Sequence, residues 1–126
     1  MNNITYNYYP FGKTKALTMS FDDGKIYDRD LVELFNKYNI KGTFHIISSR
    51  LDTDEYIKTN EIEALYKGHE VSLHTHTHPT IAYMPKEQIN YEISKNKRIL
   101  ENILKKEISG MSYPMGSFGE NVKESM

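Results

Sequence analysis

Apolar residues in this chain come in short clusters, separated by longer stretches in which they recur every three or four positions. Residues 16–21, Ala-Leu-Thr-Met-Ser-Phe, read as a short buried strand that ends at Asp22-Asp23-Gly24. Over residues 26–38 the apolar positions Ile26, Leu31, Leu34, Phe35 and Tyr38 trace a helical stripe. Residues 42–47 are β-branched and aromatic and predict a second strand. Thr59 or Asn60 is placed to cap a short helix carrying Ile62, Leu65 and Tyr66, stopped near Gly68. Residues 70–73 predict a third strand, and a histidine cluster begins where it ends. Residues 86–106 give the clearest helix, with Ile89, Ile93, Leu100, Ile103 and Leu104 on one face. Residues 108–112 predict a fourth strand, Tyr113-Pro114-Met115-Gly116 a turn, and a final helix starts near Glu120.

Strand and helix thus alternate, which predicts an α/β fold with parallel strands joined by helical crossovers. Functional groups in such folds gather at the carboxyl ends of the strands. Three polar clusters fall there: Asp22-Asp23, the histidines from His74 onward, and the turn at Tyr113.

Composition narrows the class. At 126 residues the chain suits one domain with a modest core, and 38% hydrophobic with 26% charged residues suits a folded, soluble protein. A net charge of −1 without a long basic run argues against nucleic acid or a membrane surface as partner. The absence of cysteine excludes disulfides and thiolate metal sites. Residues 1–6 lack the pattern of a signal peptide, and no apolar run approaches the ~20 residues of a bilayer span. A cytoplasmic location is the default expectation, with the true compartment unknown.

The candidate chemistry is that of a divalent ion. His74, His76 and His78 fall within five residues, and imidazole with carboxylate is good ligand chemistry. Adjacent Asp22 and Asp23 on an extended segment are expected to point apart, so one can bind an ion while its neighbour faces water or substrate. The plainer alternative is that one of them caps the following helix, with Gly24 making the turn. Spacing alone does not choose the histidine pair: His74 and His78 share a face if the segment turns, and His76 joins either one if it is extended. His45 is expected to be packed or hydrogen-bonded rather than a ligand, and His69 to lie at the surface. The ten tyrosines could stack on sugars, but most are expected in the core or its rim.

The segments Ser20-Phe21-Asp22-Asp23-Gly24, His74-Thr75-His76-Thr77-His78-Pro79 and Met111-Ser112-Tyr113-Pro114-Met115-Gly116 resemble, in order and spacing, three motifs of the polysaccharide deacetylases, the NodB-homology domain of carbohydrate esterase family 4. Lys41-Gly42-Thr43-Phe44 resembles the family's second strand. The resemblance implies roughly the first four units of a distorted, seven-stranded (β/α) barrel, held as a single partial domain over 1–126. It implies that Asp22 is the catalytic base and that Asp23, His74 and His78 bind one divalent metal ion, leaving His76 a bystander. Zinc is the default, with cobalt, nickel or iron fitting the same ligands. The Met115 backbone N–H takes the place of an oxyanion donor, and Tyr113 and Pro114 line the substrate groove. The implied reaction is hydrolysis of an acetamide on an amino sugar or of a smaller amide.

Two features depart from the family pattern. Ser112 stands where the third motif usually carries an arginine that orients the base. The later motifs, which supply an aspartate and a histidine acting as general acid, have no match after Gly116. Weak or no turnover is therefore expected of this chain alone, and an exposed sheet edge is expected to favour self-association. Competing readings are a metal- or carbohydrate-binding module without catalysis and a non-haem iron enzyme with a two-histidine, one-carboxylate triad.

Overall fold

A computed structural model describes residues 9–124. The reading of residues 1–6 as lacking a leader lies outside this range, as do Ser125 and Met126. Strand β1 (Ser20–Asp23) leads to helix α1 (Asp28–Lys37), β2 (Thr43–Ile46), the one-turn helix α2 (Ile62–Leu65), β3 (Glu70–Leu73), the long helix α3 (Lys86–Leu104) and the short helix α4 (Glu120–Lys123). The strands form one parallel sheet in the order β1-β2-β3. The register sets Asp22 opposite His45 and His45 opposite Ser72. No helix among the described residues is long and apolar enough to cross a membrane.

That register gives the sheet two unlike faces. Phe44, Ile46, Val71 and Leu73 pack with Val32 and Phe35 of α1, Tyr66 beside α2 and Leu100 of α3 into the main core. Phe44 sits 4.8 Å from the Tyr66 ring, and Phe21 meets Phe35 edge-on at 5.6 Å. Side chains at alternate positions, Ser20, Asp22, His45 and Ser72 among them, take the other, polar face. A second small cluster of Ile81, Ile89 and Val122 ties α4 to the start of α3.

Several elements differ from their sequence reading. The first strand starts at Ser20, not residue 16, and Leu17 is 77% exposed. Among the described residues its partner strand begins at Thr43, after residues 38–42 turn out of α1, and residues 16–18 have no strand to pair with. The fourth strand is reduced to one parallel bridge, Leu73 to Met111. Two bonds hold it, Leu73 N–H to Gly110 C=O and Ser112 N–H to Leu73 C=O, each 2.9 Å. Gly110 passes so close to β3 that a Cβ there would lie 2.6 Å from Ser72 Oγ. On α1 the buried stripe is Asp28, Val32 and Phe35, while Leu34 and Tyr38 are exposed. Thr59 does not cap α2; its N–H and hydroxyl go to the Asp52 carboxylate at 2.8 and 2.6 Å.

Candidate metal centre

The site forms where β1 and β3 end. Asp23 and Gly24 both have left-handed backbone, with φ of +83° and +75°. Glycine suits the second position twice over, since a Cβ there would meet Ile46 Cδ1 at 3.0 Å. The turn breaks strict strand alternation, so both carboxylates reach the same imidazole instead of pointing apart. Asp23 Oδ1 lies 3.6 Å from His74 Nε2 and 3.6 Å from His78 Nε2, and Asp22 Oδ2 lies 3.9 Å from His74 Nε2. The N-cap of α1 is Tyr27, which makes no side-chain cap bond, so neither aspartate is the capping residue that the turn allowed.

His74 is buried, and its Nδ1 lies 2.9 Å from the Ser112 carbonyl oxygen. That acceptor requires Nδ1 to carry the proton, which leaves the Nε2 lone pair facing Asp23. The chain then turns tightly, with φ of +62° at Thr75 and +63° at His78. Thr75 Oγ1 accepts the His78 N–H at 3.1 Å and donates to the His74 carbonyl at 2.6 Å. This turn carries His78 back over His74, with ring centroids 4.8 Å apart. Burial, followed by the neighbouring His74, holds the His78 imidazole below its ordinary pKa and favours the neutral, ligating form. His76 turns away to Ser48 Oγ, 3.0 Å from its Nδ1.

Asp23, His74 and His78 offer ligand atoms that all lie within 4.8 Å of one another. Ligands at 2.0–2.2 Å around a tetrahedral ion are separated by about 3.4 Å, so the 3.6 Å spacings suit one divalent ion. The donor set of one carboxylate oxygen and two imidazole nitrogens, with one tautomer already fixed, fits such an ion chemically.

The family model for polysaccharide deacetylase matches residues 11–126. The chain belongs to that family. Chitin deacetylase 1 of Cryptococcus neoformans var. grubii is 27% identical over 107 residues, covering 83% of this chain and 22% of the relative. A Streptococcus pyogenes deacetylase solved with acetate superposes with a TM-score of 0.87 at 20% identity, over 94% of this chain and 54% of that one. A family 4 acetyl xylan esterase from Clostridium thermocellum, solved with a cobalt ion, gives 0.73 at 20% identity, over 86% and 53%. The chain therefore spans about a fifth of that curated relative and about half of the two solved chains. The parallel sheet with helical crossovers is the fold of the deacetylase neighbours.

The segment resembling the deacetylases' third motif wraps the same site. Ser112 Oγ donates to Asp22 Oδ2 at 3.1 Å. Pro114 is buried, and Tyr113 stacks on Phe118 at 6.3 Å between centroids. Met115 is 74% exposed with φ of +58°. The turn's internal bonds come from Gly116 N–H to Tyr113 C=O and Ser117 N–H to Pro114 C=O, both 3.0 Å.

The other two histidines divide. His45 Nε2 lies 3.1 Å from Ser20 Oγ, a hydrogen-bonded strand histidine as expected, and burial lowers its pKa. His69 is buried, not at the surface. Its Nδ1 accepts the Gly42 N–H and its Nε2 donates to Asn36 Oδ1, both at 3.2 Å, and its ring sits against Phe35 and Phe44. The turn after α2 brings it under α1, where it ties the start of β2 to that helix. Sequence reasoning also passed over Glu92 and Asn96, which are buried on α3. Two polar residues one turn apart inside an apolar helical stripe were the available signal.

Proposed function

We propose that this chain carries the ion-binding part of a deacetylase that removes acetyl groups from N-acetylated carbohydrate, a smaller amide being the minimal substrate. One observation carries the reading: a second carboxylate, Asp22, stands 3.9 Å from His74 Nε2, beside the Asp23-His74-His78 ligand set. A ligand set alone can be structural; a neighbouring carboxylate outside it is what hydrolysis needs. Membership of the polysaccharide deacetylase family supports both the reaction and its dependence on metal.

Asp23, His74 and His78 would hold the ion, with zinc first among zinc, cobalt, nickel and iron. When bound, such an ion supplies a Lewis acid for the acyl oxygen and lowers the pKa of water. Asp22 takes the proton of the attacking water, and the Ser112 hydroxyl orients that carboxylate. As the acyl carbon becomes tetrahedral, the Met115 N–H donates to the charged oxygen. The Gly116 and Ser117 N–H groups are used within the turn, so Met115 is the residue of this turn proposed as donor. Tyr113 and Pro114 line the sugar's groove. Departure of the amine needs a general acid, a role that the resemblance gives to a histidine of a later motif. We infer that the 126-residue chain alone releases acetate weakly or not at all. The outer edge of β1 has no partner strand among the described residues and is the proposed surface for self-association.

Metal analysis of the purified chain tests the reading. One divalent ion per folded chain, lost in the His74→Ala, His78→Ala double variant, is the expected result. A folded wild-type chain that takes up no ion overturns it.

A further inference from the structure

Helix α3 is built against its own interest at two positions. Its inward face runs Ile89, Glu92, Asn96, Leu100, and the middle two are polar yet only 6% and 0% exposed. Burying a carboxylate or an amide costs several kcal/mol unless its hydrogen bonds are remade. Among the described residues, the hydrogen bonds of these two side chains go to the end of β2 and to the loop that carries His74 and His78.

Glu92 grips Thr77 with both oxygens: Oε2 accepts the Thr77 N–H at 2.7 Å and Oε1 accepts its hydroxyl at 2.8 Å. Thr77 immediately precedes His78, whose left-handed backbone places its imidazole against Asp23. Asn96 bridges two strand ends. Its Oδ1 accepts the His74 N–H at 3.1 Å and its Nδ2 donates to the Ile46 carbonyl at 3.0 Å. The β2-β3 ladder ends at Ile46 and Leu73, so these groups need a partner where the strands separate. An apolar residue at 96 would leave the His74 N–H and the Ile46 carbonyl buried without one.

We propose that Glu92 and Asn96 are positioning residues of the metal centre, one for each histidine ligand. They hold the 74–78 loop in its chelating shape before an ion arrives, so the ion need not order it. This inference rests on the metal reading above and deepens it. Partners that orient metal ligands typically change affinity by about 10- to 100-fold.

The test is a Co²⁺ titration of the chain, read by visible absorption and by zinc competition, with Glu92→Ala, Glu92→Gln and Asn96→Ala. Glutamine keeps an acceptor for the Thr77 N–H and a polar partner for its hydroxyl. The expected result is affinity weakened about 10- to 100-fold with an altered cobalt spectrum in Glu92→Ala and Asn96→Ala, and recovery to within a few-fold in Glu92→Gln. Circular dichroism confirms the fold of each variant, and Glu92→Gln serves where alanine fails to fold. Alanine variants that bind cobalt like wild type overturn the positioning role while leaving the metal reading intact. Glu92→Gln as weak as Glu92→Ala shows that charge, not hydrogen bonding, is at work and also overturns it. A wild-type chain that binds no cobalt overturns both.

Discussion

Replacing Asp28 by asparagine should stabilise this protein at neutral pH and change it little in acid. Asp28 is buried in the first turn of α1, where the Tyr66 hydroxyl donates to its Oδ2 at 2.6 Å. Burial pushes its carboxyl from 3.8 up to about 6, against the lowering effect of the Tyr66 hydrogen bond and with a smaller raising effect of Asp23. The folded state therefore holds a proton that the unfolded state has released, and stability falls as pH rises through that window. The penalty is about 0.5 kcal/mol at pH 4 and about 3 kcal/mol at pH 7.5. Asparagine cannot ionise and keeps an acceptor for Tyr66. Its advantage over wild type should therefore grow by about 2.5 kcal/mol between pH 4 and pH 7.5. Urea unfolding followed by far-UV circular dichroism at both pH values, on metal-free protein, measures it. An advantage that does not change with pH, or an asparagine variant less stable than wild type at pH 7.5, refutes the reasoning.

Three further outcomes follow from the packing and the site. Gly110→Ala pushes a methyl group to 2.6 Å from Ser72 Oγ and should lower stability by about 1–3 kcal/mol, visible in thermal unfolding. His76→Ala should leave the ion stoichiometry of the purified chain unchanged, because its ring faces Ser48 and not the ligand set. Asp22→Asn should retain the ion and cut whatever acetate release the chain supports by about 10²- to 10⁴-fold, measured by an enzyme-coupled acetate assay.

Elements marked by short-range pattern were legible in the sequence. Residues 70–73 form the third strand where the pattern put it, and α4 begins at Glu120. Asp22, Asp23 and the histidines were expected at the carboxyl ends of strands, and they meet there because the strands run parallel. Contacts between distant segments were not legible. Leu17 reads as buried by composition, yet the strand that would cover it starts too late. His69 reads as a surface residue until α1 supplies Asn36 and Phe35 around it. Both aspartates reach one histidine because Asp23 adopts a left-handed turn that an alternating strand does not foresee. Glu92 was hidden for the same reason, since its partner Thr77 lies 15 residues away on a loop whose shape only the fold defines.

The most direct measurement is a crystal structure of the chain grown with Co²⁺, with anomalous diffraction recorded at the cobalt edge. The account predicts one anomalous peak about 2.0–2.2 Å from Asp23 Oδ1, His74 Nε2 and His78 Nε2, with Asp22 alongside but outside the ligand set. A peak ligated by His76, a peak elsewhere, or an ordered site with no peak would contradict it.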